Sequence, residues 1–511
     1  MPDPDGARLP RPVVPPRRLS SLAAVLGLPE DSAHAGVEVT GVSLDSRHVL
    51  PGDVYAALPG VHAHGAAFAA EAAEAGAVAI LTDLSGRERA EASGLPVLVL
   101  EQPRERLGLV ASWVYGHPAD QLLLVGVTGT NGKTTVAFMV ESGLRAAGHV
   151  TGLVGTVQTR VAGEVVVSQR TTPEAPDVQA LIALMVERGC SAAAMEVSSH
   201  ALALGRVDGM SFDVAVFTNL TQDHLDFHPT FEEYYRAKAS LFTGRRSRAG
   251  IVNIDDEYGR RLVRDAEVPV TTFSTKGAAA DWTAEDIVVR GDGSSFRVVG
   301  PSGERAPATV QLPGLFNVSN ALAAIVALTV AGVPLHAAVA GVGGLAGVPG
   351  RMERVSAGQR FLALVDYAHT PDAVITLLDA VRGLVTGRVI LVLGCGGDRD
   401  PYKRPLMGAA AHRGADVAIF TSDNPRSEDP QAILAAMASG AAADPVDGHT
   451  YVVEPDRSRA ITRAVESARP DDVVVVAGKG HELGQETGGV VRPFDDRVEL
   501  LSAIERLAVA S

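Results

Sequence analysis

The stretch that most constrains this chain is Leu122–Thr135, which reads Leu-Leu-Leu-Val-Gly-Val-Thr-Gly-Thr-Asn-Gly-Lys-Thr-Thr. A short aliphatic run leads into a loop of small polar residues, and a helical pattern follows from Val136. Strand, loop and helix in that order cradle a nucleotide phosphate. Gly129 and Gly132 let the backbone turn its N–H groups inward, and the helix adds its positive N-terminal end. Lys133 is placed to reach the β/γ-phosphates and Thr134 to set a hydroxyl on Mg²⁺. The strict pattern G-x-x-x-x-G-K-[ST] needs Gly at 127, where Val127 stands, so this is a phosphate loop of a variant type.

A chain of 511 residues exceeds one ordinary core, and division by about 150 suggests three domains. With 46% hydrophobic and 21% charged residues it reads as globular. A net charge of −15 argues against nucleic acid or an anionic membrane as partner, so an anionic nucleotide must be met by a local cluster of N–H groups and cations. Two cysteines, Cys190 and Cys395, exclude a disulfide framework and fit a reducing, cytoplasmic setting. No run reaches the roughly 18 apolar residues of a membrane span, and the Pro- and Arg-rich residues 1–17 carry no signal-peptide core. Those residues are expected to form a disordered tail.

Strands at Val37–Leu44, Val54–Ala57, Ala77–Leu81 and Pro96–Leu100, with a helix at Ala66–Ala75, define a first α/β domain over 18–117. His117-Pro118 closes it. Its loops Leu44–Arg47 and Gly60–Gly65 are open to two readings, ligand contact or plain connection. From 118 to 350, strand and helix alternate. Ala192–Val197, Val214–Thr218, Gly250–Ile254 and Val268–Phe273 read as buried strands of a mostly parallel sheet, with an antiparallel edge over Trp282–Val310 and a helix over Asn317–Val330. From 351 to 511, strands at Phe361–Asp366, Val389–Cys395, Ala415–Thr421, Thr450–Val453 and Asp472–Ala477 predict a doubly wound, Rossmann-like domain. The fold class is α/β throughout, with a phosphate-loop domain at the centre.

Polar clusters follow the strands, where ligands of open α/β sheets sit. In the centre these are Glu196-Val-Ser-Ser-His200, Thr218–His224 and Asn253-Ile-Asp255. In the last domain they are Asp366-Tyr-Ala-His369, Gly396-Gly-Asp-Arg399, Asp423-Asn-Pro-Arg426 and Gly478–Glu482. Glu196 and His224 are candidate Mg²⁺ ligands, although imidazole is unusual there and a structural histidine competes. His224 and His228 are four apart, but Leu225 breaks the H-E-x-x-H zinc pattern. Lys238 lies in a helical run, Tyr234–Phe242, where a lysine is ordinarily a solvated charge. Pro425 stiffens the turn that carries Arg426, which suits bidentate pairing with a carboxylate. With Arg399 and Glu482, it offers two cations and a carboxylate, the complement of a zwitterionic amino acid.

Taken in order, Thr128–Thr135, Glu196–His200, Asp223-His-Leu-Asp226, Asn317-x-x-Asn320, Gly350-Arg351, Asp366–His369 and Asp423–Arg426 resemble the motifs of the Mur ligases, the ATP-dependent amino-acid-adding enzymes of peptidoglycan synthesis. The resemblance spans all three domains. It implies a first domain that binds a UDP-sugar, with Leu44 and Ser46 on the uridine side. ATP would sit at Gly129, Thr130, Asn131, Gly132, Lys133, Thr134 and Thr135, with Asn317, Arg351 and Asp366. Thr171, Thr172, Ser198 and Arg206 would hold the muramoyl-peptide; Leu204 stands where the family has glutamine. Lys238 matches a carbamylated lysine (N6-carboxylysine) that ligands Mg²⁺ beside His224, which reverses the surface reading. Arg399, Asp423, Asn424, Pro425, Arg426, Gly478 and Glu482 would bind the amino acid. Arg426 points to diaminopimelate rather than lysine, joined to UDP-N-acetylmuramoyl-L-alanyl-D-glutamate by a monomeric enzyme. A lysine-adding relative, a folylpolyglutamate synthetase and a regulatory ATP-binding protein are the alternatives.

Overall fold

The computed structural model describes residues 9–510, apart from 30, 61, 167–169 and 225–226. Strands β1 (Gly41–Ser43), β2 (Asp53–Ala56), β3 (Ala79–Thr82) and β4 (Val97–Val99) form an all-parallel sheet in sequence order. Val42, Val54, Leu81 and Leu98 fill the core on one of its faces, and Tyr55 and Ile80 that on the other. The expected strand Val37–Leu44 is broken, because Glu38–Val39 turns away to pair antiparallel with Arg17–Arg18. The expected helix Ala66–Ala75 starts as a 3₁₀ turn, Gly65–Phe68, before the helix Ala69–Glu74.

The second sheet runs in sequence through β5 (Leu123–Thr128), α1 (Lys133–Ala146), β6 (Thr151–Val154), α2 (Ala175–Glu187), β7 (Ala192–Glu196), β8 (Phe212–Phe217), α3 (Phe231–Ala239), β9 (Ser247–Asn253) and β10 (Val270–Ser274). In space the parallel order is β6-β7-β5-β8-β9-β10. β11 (Trp282–Arg290), β12 (Gly293–Val299) and β13 (Arg305–Val310) extend it, the last two antiparallel, as the alternation at Trp282–Val310 predicts. At the other edge, Thr159–Val161 and Glu164–Val166 add an antiparallel ribbon that the sequence reading did not anticipate. Helices cover both faces: α1 and α4 (Leu315–Val330) pack on one, α2 on the other. This explains why β5 and β7 read as unbroken apolar runs. It also explains Val127, which is fully buried in β5 one residue before the strand ends, with Glu196 of β7 paired opposite it.

The third sheet holds β14 (Leu362–Asp366), β15 (Val389–Leu393), β16 (Val417–Phe420), β17 (Thr450–Val453) and β18 (Val473–Ala477), ordered β14-β18-β15-β16-β17 and parallel. Apolar clusters on its two faces confirm a doubly wound domain. Two fully buried groups, Arg457 and Asp496, are joined by two contacts of 2.7 Å, and Arg457 also donates to Ala477 O at 2.9 Å, anchoring the end of β18.

The disordered tail expected over residues 1–17 needs correction. Residues 1–8 lie outside the described residues, but from Leu9 the chain is seated. Arg11 Nη1 lies 2.6 Å from both oxygens of Asp53, and Pro12 is buried. The Val13 N–H donates to Glu187 Oε2 at the end of α2, and Val14 packs on Tyr115, Ala180 and Ala183. A buried carboxylate at Asp53 calls for a cation, and Arg11, ahead of β1, supplies one. This segment therefore straps the first domain to the second.

Candidate active site

Because β5–β10 are parallel, the residues that follow β5, β7 and β8 emerge at one end of the central sheet. Gly129 (φ 147°) and Gly132 (φ 87°) take backbone conformations that a side chain would strain. A Cβ on Gly132 would also stand 2.4 Å from Asn320 Oδ1. Lys133 folds back over the loop, donating to Gly129 O at 3.0 Å and Thr130 O at 2.8 Å, and burial lowers its pKa. The Thr134 hydroxyl donates to Glu196 Oε2 at 3.0 Å and accepts from Arg351 Nη2 at 3.2 Å. Asn131 is held by Asn219 Oδ1 on its N–H, and its Nδ2 reaches Asp372 Oδ2 of the third domain at 3.4 Å. Thr130 Oγ1 pairs with Tyr234 OH at 3.0 Å, and Thr135 is buried in the first turn of α1.

Lys238 is 1% exposed, so the solvated-charge reading of its helix fails. The polar look of α3 conceals a buried inner face, from which Tyr234 reaches the phosphate loop while Tyr235 turns to Asp265. Lys238 Nζ donates to Gly129 O at 2.7 Å and lies 4.7 Å from the Tyr234 ring centre. Burial, reinforced by repulsion from Lys133, drives its pKa well below the ordinary lysine value. His224 adopts φ 55° and sits edge-on to His200 at 4.7 Å between ring centres. Burial, with His200 and the two lysines, outweighs Asp223 and pushes its pKa down to about 3, so it is a neutral ring. Leu225 and Asp226 of the same motif lie outside the described residues.

Glu196 is clamped by the Thr156 N–H at 2.7 Å and the Thr156 hydroxyl at 3.1 Å, in addition to Thr134. The sequence reading missed Thr156; the signal was the unrecognised strand β6 just before it. Thr171 bonds Thr156 Oγ1, Thr172 donates to Glu196 O, and the Ser198 N–H donates to Thr172 Oγ1. Arg206 is committed to Thr172 O and to the Glu174 carboxylate at 2.7 Å. Among the described residues no three His, Cys, Asp or Glu side chains gather as a metal cage. The donor set of Thr134 hydroxyl and Glu196 carboxylate beside a phosphate loop nevertheless fits Mg²⁺, which takes one or two protein ligands plus phosphate oxygens and water.

Asn317 is buried inside α4's first turn, donating to Pro313 O at 2.8 Å and accepting from Asn320 Nδ2 at 3.1 Å. Asp366 accepts from the Met352 and Ala368 N–H groups, both at 2.8 Å. Burial raises its pKa against the pull of Arg351. Arg351 itself stacks 4.3 Å from the Tyr367 ring centre.

A cleft of about 750 Å³ opens between the second and third domains. Thr171, His200 and His224 line one wall; Arg399, Asp423, Asn424, Arg426, Gly478 and Glu482 line the other. These residues follow β15, β16 and β18, so the doubly wound sheet brings them together across long sequence distances. Pro425 presses on Gly397, where a Cβ would lie 1.9 Å from its carbonyl oxygen. Arg426, at φ 52°, donates from Nη1 to Gly397 O at 2.6 Å. Asn424 Nδ2 donates to Glu482 Oε2 at 2.7 Å. Leu44 and Ser46 are not among the cleft's lining residues. They follow β1 in the first domain, where Ser46 Oγ donates to Glu71 Oε2 at 3.2 Å.

Family models match the three parts of the chain in order: the Mur ligase family catalytic domain over 38–115, the Mur ligase middle domain over 127–328, and the Mur ligase glutamate ligase domain over 350–480. The chain belongs to the Mur ligase family. Its similar relatives include the UDP-N-acetylmuramoyl-L-alanyl-D-glutamate–2,6-diaminopimelate ligase of Streptomyces coelicolor, 56% identical over 97% of this chain and 98% of that one. The like-named protein of Corynebacterium glutamicum is 47% identical over 92% of this chain and 93% of that one. A solved UDP-N-acetylmuramoyl-L-alanyl-D-glutamate–2,6-diaminopimelate ligase shares 34% identity and superposes with a TM-score of 0.67, covering 95% of this chain and 99% of that one. A MurF ligase from Thermotoga maritima, solved in complex with ADP, superposes at 0.65 over 93% of this chain and 99% of that one. At 18% identity that likeness is one of fold. No helix among the described residues of this Mur ligase is long and apolar enough to cross a membrane.

Proposed function

We propose that this Mur ligase joins diaminopimelate to the D-glutamate of UDP-N-acetylmuramoyl-L-alanyl-D-glutamate, converting ATP to ADP and phosphate, as a monomer in the cytoplasm. The observation that carries this reading is a single cleft with the phosphate-loop domain on one wall and Arg426, Asn424 and Glu482 on the other. The identity to like-named ligases supports it. Domain boundaries at 117/118 and 350/351 belong to the same reading, with Leu44 and Ser46 beside the uridine.

The substrate carboxylate attacks the γ-phosphate of ATP, ADP leaves, and an acyl-phosphate forms. The amine of diaminopimelate then attacks the acyl carbon, phosphate leaves, and the nitrogen sheds its proton. Two anions must approach, so Lys133 swings from its backbone carbonyls to the phosphates, and the loop N–H groups of Gly129–Thr135 share their charge. Asn317 holds Asn320 against Gly132, while Arg351 and Asp366 close the nucleotide site from the third domain. Thr134 and Glu196, with His224 and a modified Lys238, would hold Mg²⁺, which would supply further charge neutralisation. Lys238 suits modification because its buried amine is shifted toward the neutral form. The nitrogen lone pair adds to the carbon of CO₂, a proton is lost, and the cation becomes a carbamate anion. Thr171, Thr172, Ser198 and Arg206 position the muramoyl-peptide. Closure of the cleft excludes the water that would hydrolyse the acyl-phosphate.

The test is ADP release with the UDP-muramoyl-dipeptide and either diaminopimelate, as resolved stereoisomers, or lysine. Turnover with diaminopimelate is expected; turnover with lysine alone would reject the assignment. ATP hydrolysis indifferent to any amino acid would point instead to a regulatory nucleotide binder.

A further inference from the structure

The loop after β18 buries a lysine that the reaction described above leaves unused. Gly478 and Gly480 both have positive φ, at 107° and 56°. A Cβ at Gly478 would stand 2.8 Å from Asp423 Oδ2, and one at Gly480 would stand 2.9 Å from Gly350 O. The backbone is thus pinned on either side of Lys479, whose side chain is fully buried. Its Nζ donates to Asn424 Oδ1 at 3.0 Å and to Glu482 Oε2 at 3.0 Å. Asn424 Oδ1 also accepts the Glu486 N–H at 3.0 Å, which fixes which end of the amide faces Lys479. The opposite end, Nδ2, then donates to the same Glu482 oxygen at 2.7 Å.

Two donors therefore converge on Oε2 of Glu482, and neither uses Oε1. A carboxylate held so by one oxygen has its rotamer set. A buried ammonium is a costly way to fill space, because an apolar side chain of equal volume would avoid its desolvation. The cost is understandable if the carboxylate must stand in one place. Glu482 is one third exposed, on the cleft wall that also carries Arg399 and Arg426. We infer that Lys479 is a positioning residue that acts through Glu482 and Asn424, aiming the Glu482 carboxylate at the ammonium group of the incoming amino acid. This rests on the proposed amino-acid site and names what orients it.

The experiment is a cycle of Lys479→Met, Glu482→Gln and the double variant, with KM measured separately for ATP, the UDP-muramoyl-dipeptide and diaminopimelate. Lys479→Met should raise KM for diaminopimelate about 30-fold or more, with the other two KM values within about twofold of wild type. Since both residues act as one unit, the double variant should be no worse than the worse single. Effects that multiply in the double variant, or three KM values that rise together, would make Lys479 merely structural and overturn the inference. If Glu482→Gln leaves KM for diaminopimelate unchanged, the amino-acid site itself is misplaced. Should Lys479→Met not yield folded protein, Lys479→Gln keeps a neutral donor there and carries the same expectations at smaller size.

Discussion

Replacement of Arg426 by alanine removes the cation on which the choice of amino acid is argued to turn. Both residues carry a Cβ, so the positive φ of 52° costs the two variants alike, and the comparison isolates the guanidinium. That group is committed at Nη1 to Gly397 O, at 2.6 Å, while Glu486 Oε2 stands 3.8 Å from Nε. Nη2 and the outer hydrogens remain for a ligand carboxylate. Truncating one partner of a desolvated charge pair costs about 2–5 kcal/mol. The side chain is 25% exposed and already near Glu486, so the lower part of that range applies, about 2–3 kcal/mol, or about 30- to 150-fold in KM. Initial rates of ADP release would be measured with diaminopimelate varied at saturating ATP, then with the roles exchanged, and with lysine in place of diaminopimelate. KM for diaminopimelate should rise by that factor, KM for ATP should stay, and the preference over lysine should shrink. A preference that persists undiminished, or an equal rise in KM for ATP, would refute the role of Arg426.

Lys238→Ala should nearly abolish turnover and regain part of it when short carboxylates such as formate or acetate are added; a near-normal rate without them would remove the carbamate from the mechanism. Arg457→Met strands Asp496 in the interior and should destabilise the third domain by about 3–5 kcal/mol, whereas Arg457→Met with Asp496→Leu should recover much of it in thermal melts. Burial and the nearby Arg351 hold the His481 pKa down to about 4, below the ordinary 6.5. The unfolded chain therefore takes up a proton that the fold does not, and stability is lost as pH falls below 6.5, by about 2 kcal/mol at pH 5 from this group. His481→Gln should lose less Tm between pH 7 and pH 5 than the wild type does, and an identical loss would refute the assignment.

Features carried by local chemistry were legible in the sequence. Gly129, Gly132 and Lys133 announce the phosphate loop because its backbone needs those residues wherever it occurs. The strand ends that carry Glu196, Asp423 and Glu482 were visible because buried parallel strands are apolar and their ends are not. Lys238 was not legible from its own helix, since its burial is decided by the loop that lies over it, about a hundred residues earlier in the chain. The Thr159–Val166 ribbon and the Gly484–Thr487/Val490–Pro493 hairpin were missed because short edge strands show little alternation. Lys479 stood in a segment singled out for its glycines and Glu482, and nothing in the sequence says that its amine points inward.

The strap over Arg11–Val14 has a consequence for the order in which the protein is made. Val13 leaves the ribosome before its acceptor on Glu187, which lies 174 residues further on. At 5–20 residues per second, that gap is about 9–35 s of synthesis. Through that interval the first domain can close its parallel sheet, yet it has no second domain to be fastened to. The fastening waits on Glu187, so a substitution that crowds Val13 or Val14 would trouble assembly sooner than it would trouble chemistry.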